Sequence, residues 1–172
     1  MVSSLRKRRF LRFIFLLFAV IALSSTAQAQ STDASIIGPE IAISTLESNE
    51  WSPDIAYNSL HNEYLVVWEN VWPGGHRDVY AQRISGDGRL LSWFAVASNT
   101  NKQMNPSVAY DPIHDRYLVV FAYDYYGNGF DWDINGRFIP WNGPDPSLLD
   151  FGICTWDSDQ RRPVVAFALT QQ

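Results

Sequence analysis

One cysteine, Cys154, occurs in 172 residues, so the chain cannot close an internal disulfide. Its apolar setting, Phe151-Gly152-Ile153-Cys154, reads as a buried and inert thiol, with a bridge between two chains as the alternative. Histidine is almost as scarce, with three in the chain, and a zinc-type site draws on three or four convergent ligands. Beyond residue 29 no segment sustains a 3.6-residue apolar period, which argues against helical layers and predicts an almost helix-free protein. A GxSxG nucleophile elbow and a Walker loop are both missing, so no serine-hydrolase or P-loop chemistry is legible. Positive charge is short as well. Five of the 13 Lys and Arg lie within the first 12 residues, and the eight that follow face 18 Asp and Glu, a balance near −10. An acidic chain repels phosphate backbones, so nucleic acid is not an expected partner.

What stands at the start is a leader. Arg6, Lys7, Arg8, Arg9 and Arg12 form a basic region, Phe13 to Leu23 is an unbroken apolar run of 11 residues, and Ala27-Gln28-Ala29 is a small-x-small cleavage site. That order is a bacterial secretory signal peptide over residues 1–29, followed by a linker over 30–40. The apolar run is shorter than the roughly 20 residues a membrane-spanning helix needs. The expected destination is therefore the periplasm, the cell surface or the medium, with no membrane span after cleavage and an uncleaved anchor as the alternative.

After the leader, the chain repeats itself. SPDIAYNSLHNEYLVVWE from Ser52 is answered by NPSVAYDPIHDRYLVVFA from Asn105. Pro53 matches Pro106, Tyr57 matches Tyr110, His61 matches His114 and Tyr64 matches Tyr117, all at an offset of 53. A third copy opens at Pro163-Val164-Val165. Each full copy holds four strand-like segments joined by Gly-, Asn- and Asp-rich links, the residues that supply the φ > 0 positions of tight hairpins. In Tyr64-Leu65-Val66-Val67-Trp68 and Tyr117-Leu118-Val119-Val120-Phe121 both the odd and the even positions are apolar. A strand with one wet face alternates, so these two are expected to be covered on both faces. Ala81 and Gly136 stand at equivalent places in the third segment, where crowded sheets exclude a larger side chain.

A period of this length built from short strands points to propeller architecture. The pattern PxhAYxxxxxxYLVVW followed by DhYAQRIxGDG resembles the repeats of secreted bacterial β-propeller proteins, over Ile41 to Phe167. The resemblance implies an all-β fold of four-stranded blades: a fourth-type strand at 41–45, blade one at 51–98, blade two at 105–155 and the start of blade three at 163–168. Its motifs define the architecture and not an activity. Propellers generally close with four to eight blades, so the chain is expected to be a piece of a longer propeller or a subunit completing a ring with copies of itself.

Residues for chemistry are fewer. His61 and His114 recur in both copies and read as turn-capping residues. The loop from Asp124 to Asp133 alternates carboxylate, amide and glycine, and Asp124, Asn128, Asp131 and Asp133 offer the hard oxygen ligands Ca²⁺ takes, although the spacing does not match a DxDxDG loop. No other cofactor is indicated. Trp72, Trp132 and Trp141 lack repeat partners and read as a stacking platform for a carbohydrate or an extracellular protein, with shielding of sheet edges as the alternative. Eighteen scattered acids single out no pair for glycoside hydrolysis. The functional expectation is a non-catalytic, exported binding protein; the alternative is a fragment of a propeller-type glycoside hydrolase whose catalytic residues lie mostly in other blades.

Overall fold

Segments rich in β-branched and aromatic residues, separated by links carrying Gly, Asn or Asp, fold here into eight strands. The computed structural model describes residues 40–168, which leaves the leader at 1–29, nearly all of the linker and the last four residues outside the described residues. The strands are β1 (Asn49–Asn58), β2 (Glu63–Val71), β3 (Arg77–Ser85), β4 (Leu90–Ala97), β5 (Gln103–Asp111), β6 (Arg116–Asp124), β7 (Trp132–Pro140) and β8 (Phe151–Cys154). They form two four-stranded antiparallel sheets in simple up-and-down order, β1-β2-β3-β4 and β5-β6-β7-β8. The described residues are all-β, with no helix long and apolar enough to cross a membrane.

The 53-residue offset is reproduced by the backbone itself. Asp54 pairs with Val67 and Ser107 with Val120; Ile55 pairs with Val66 and Val108 with Val119. Both first strands bulge at the same place, between Trp51 and Asp54 and between Met104 and Ser107. Within each bulge one non-glycine residue takes a left-handed φ, Ser52 at 49° and Asn105 at 51°. The first hairpins repeat this, with Asn62 at 50° and Asp115 at 51°. Asn and Asp tolerate that region because their short side chains bond the local backbone.

The central strands are covered on both faces, as their continuous apolar runs require. Leu65 and Val67 point into the main core together with Val79, Ala81 and Val96; Val66 and Trp68 point the other way, into a second cluster with Ile84 and Ile43. In the second sheet the assignment is shifted. Tyr117, Val119 and Phe121, the repeat equivalents of Tyr64, Val66 and Trp68, lie in the main core. The sheets therefore stack head to tail: the 65/67 face of the first meets the 117/119/121 face of the second. Gly136 is buried in β7 where a Cβ would come within 2.8 Å of Ile153 Cδ1 and 3.0 Å of Phe151 Cζ, which accounts for the small residue there.

Two expected strands are not formed. Residues 41–45 and 163–168 join neither sheet. Each still sits against a sheet as its repeat equivalents do. Ile43 packs over the outer face of the first sheet, as its equivalent Val96 packs in the main core. Val165 donates its backbone N–H to Ser107 Oγ at 3.3 Å, as Val108 does to Asp54 Oδ2 at 2.9 Å. What they lack is a neighbouring strand to complete a hydrogen-bonded ladder, and a lone extended segment has no ladder of its own.

Candidate functional site

The β6–β7 hairpin and the segment after β8 meet at one end of the second sheet, because antiparallel order returns β8 to the end from which β7 starts. Inside the hairpin both oxygens of Asp124 accept the N–H of Gly129, at 2.9 and 3.1 Å. Asn128 Oδ1 accepts from Phe130 N at 2.9 Å, and Tyr125 N donates to the Asp131 carbonyl at 3.1 Å. Gly127 and Gly129 take φ of 69° and 80°, conformations that let the loop fold back on Asp124 without strain. Asn101 braces the loop from outside, donating to the Tyr125 carbonyl at 2.9 Å and to Tyr123 Oη at 3.2 Å.

This scaffold presents a pocket of about 390 Å³ lined by Tyr125, Tyr126, Asp131, Asp133, Thr155, Trp156 and Asp157. The Tyr125 and Tyr126 rings meet edge to face, centroids 4.9 Å apart. Trp156 is 75 % exposed and Tyr126 69 %, so their ring faces are free for contact. Among the described residues, three carboxylates and no cation line the pocket. Burial, and after it the neighbouring Asp131 carboxylate, push the Asp133 carboxyl above the usual range. Arg161, close in sequence to Asp157, is turned elsewhere: it bonds the Gly129 carbonyl at 3.0 Å and Asp159 at 2.7 Å and lies over the Trp132 ring. Chemically the site offers aromatic faces to apolar C–H surfaces and carboxylate acceptors to hydroxyls or cations.

The three tryptophans proposed as a platform do not come together. Trp132 is only 4 % exposed and packs with Met104, Ala122 and Ile134, its Nε1 donating to the Gly129 carbonyl at 3.1 Å. Trp72 lies in the β2–β3 link of the other sheet and spends its Nε1–H on Asp78 Oδ2 at 2.6 Å; His76 Nε2 lies 3.1 Å from the second Asp78 oxygen. Trp141 is in the β7–β8 link, at the opposite end of its sheet from the pocket. There the His61 ring stacks on it, with centroids 3.7 Å apart and planes 5° from parallel.

That opposite end is a clamp between the two sheets. His61 Nε2 is 2.9 Å from Asp115 Oδ2, and Tyr110 donates its hydroxyl to Asp115 Oδ1 at 2.6 Å. Arg83 holds Glu63 through two bonds of 2.8 and 3.1 Å and reaches the Asn142 carbonyl at 3.1 Å. His61 and His114 thus diverge in use: His61 bridges the sheets, whereas His114 Nδ1 stays local, 2.6 Å from Asp111 Oδ2.

Of the four residues proposed for Ca²⁺, the structure brings Asp131 and Asp133 to one pocket, while Asp124 and Asn128 are occupied by loop amides. Among the described residues no three His, Cys, Asp or Glu side chains converge as a metal site would need. Trp156 and Asp157, the partners the acidic loop actually meets, carry no repeat signal and no motif. Only the return of β8 to that end of the sheet places them. No protein-family model matches this sequence, and no curated protein matches it.

Proposed function

We propose that this chain is an exported β-propeller-type repeat protein that binds carbohydrate in the pocket at the β6–β7 end of its second sheet. The observation that carries the binding reading is the convergence of the exposed Tyr125, Tyr126 and Trp156 rings with Asp131, Asp133 and Asp157 in one cavity. Sugars present an apolar C–H face and a rim of hydroxyls, which aromatic faces and carboxylate acceptors recognise together. The propeller reading is supported by the head-to-tail stacking of two four-stranded sheets with matched registers and matched bulges. Export is supported by the basic, apolar and small-residue order of the first 29 residues.

Isothermal titration with a panel of neutral oligosaccharides tests the binding. Trp156→Ala and Tyr126→Ala are expected to weaken the best ligand about tenfold, roughly 1.4 kcal/mol, at an unchanged melting temperature. Trp141→Ala serves as the control, lowering stability through the lost His61 stack while leaving affinity intact. A wild-type protein that binds none of the panel, or a Trp156→Ala variant with full affinity, overturns the reading. A carboxyl raised by burial beside a second carboxyl is also the beginning of an acid–base pair. Release of reducing sugar during the same titrations would move the chain to the hydrolase alternative.

A further inference from the structure

The two outer faces of the sheet stack are the two halves of its own internal interface. At that interface Val108 and Tyr110 of β5, with Tyr117, Val119 and Phe121 of β6, rest on the side of the first sheet that carries Leu65, Val67 and Val96. One repeat earlier, the same positions as Val108 and Tyr110 are Ile55 and Tyr57, on the outer face of the first sheet. Ile55 is 55 % exposed against 5 % for Val108, and Tyr57 47 % against 7 % for Tyr110. One repeat later, the position of Val96 is Ile153, on the outer face of the second sheet, and it is 50 % exposed where Val96 is fully covered. Among the described residues Ile55, Tyr57 and Ile153 are thus left open at the two ends of the stack, while Val66 and Trp68, the equivalents of Val119 and Phe121, are covered in part by Ile43.

We infer that these two faces take a second copy of this chain, the outer face of the second sheet in one copy packing on the outer face of the first sheet in the next. The occupant follows from the repeat: each face is the register-matched equivalent of a surface whose complement is already in the molecule, and a copy carries that complement. The contact is heterologous, joining two different faces, so it propagates into a ring or an open stack and does not stop at a symmetric pair. The polar latch is repeated as well. Asp54 receives the Val108 N–H across the interface, and its equivalent Ser107, whose hydroxyl donates to Asp54, receives the Val165 N–H on the same oxygen. The docking copy brings Ile55 to that place, and residues 163–168 and 41–45 give way, which costs no ladder hydrogen bonds because neither segment is part of a sheet. This inference goes beyond the carbohydrate reading and does not depend on it.

The test uses the full chain, expressed with its leader, in light scattering over a hundredfold range of concentration. The wild type is expected to grow in mass in whole multiples. Ile55→Asp blocks one face and Ile153→Asp the other, so each variant alone is expected to be a monomer, and an equal mixture of the two is expected to form a heterodimer through the one intact pair of faces. Both side chains are substantially exposed, and a circular-dichroism melt of each variant within a few degrees of wild type shows that the fold is kept. A wild type that stays monomeric throughout overturns the inference. So does an association that mixing fails to restore, which would point to a symmetric pairing of like faces.

Discussion

The Asp54 carboxylate reaches across from the first sheet to accept the backbone N–H of Val108 at 2.9 Å. The same oxygen takes the Ser107 hydroxyl at 2.8 Å. Val108 is 5 % exposed, so its amide has no easy recourse to water. A charged acceptor placed between two sheets does what the apolar core cannot: it fixes how far one sheet slides over the other. Asp54→Ala strands both donors and is expected to cost about 1–3 kcal/mol, read as a lower urea midpoint at an unchanged slope. Asp54→Asn keeps an acceptor in place and is expected to lose less. Equal losses in the two variants would show that the charge, and not the acceptor, holds the sheets.

The repeat makes most of this architecture legible in the sequence alone. Offsets of 53 set the strand order, and the doubly apolar runs at Tyr64 to Trp68 and Tyr117 to Phe121 announced sheets covered on both faces. Small residues at 81 and 136 marked the crowded strand. The site was far less legible. Asp131 and Asp133 stood out as an acidic loop, but an aromatic such as Trp132 looks the same in sequence whether it faces water or the core. Its place at the first position of β7 buried it against Ala122 and Met104, which belong to β6 and β5 and not to its own strand. Trp156 lies outside every repeat match, so its partnership with Tyr125 and Tyr126 is a product of topology alone. Residues 41–45 and 163–168 carried the right strand pattern and lacked a partner to pair with, a condition that no local sequence expresses.

The clamp between the sheets should respond to acid. Burial raises Asp115, but the hydrogen bonds from Tyr110 and His61, with the His61 charge, outweigh it and hold the carboxyl below its ordinary value. A carboxyl lowered in the folded state binds protons less readily than in the unfolded chain, so the stability it contributes is present above the unfolded value of about 3.9. That contribution is lost as the pH falls through the lower folded value. Urea midpoints of the wild type are therefore expected to decline below about pH 4. Asp115→Asn removes the titrating group and is expected to decline less steeply over the same range while being less stable at pH 6. Parallel profiles for the two proteins would assign the acid response to other carboxylates.

Calcium offers a sharp test of the acidic loop. Asp124 gives both oxygens to the Gly129 N–H, and Asn128 gives its own to Phe130 N. An ion bound in the manner of a calcium loop would need several oxygens from these residues at once, and taking Asp124 would strand a glycine amide that the hairpin turns on. Asp131 and Asp133 are left, and among the described residues no cation lines the pocket to offset the burial that pushes the Asp133 carboxyl up. A ligand present at 100 times its dissociation constant stabilises a fold by about 2.7 kcal/mol, several degrees in the melting temperature of a domain this size. The expected result is a melting temperature unmoved by millimolar Ca²⁺ at pH 7. A rise of several degrees that disappears in Asp131→Asn would establish an ion held at the pocket by Asp131 and its neighbours, and would make that ion part of the sugar-binding surface.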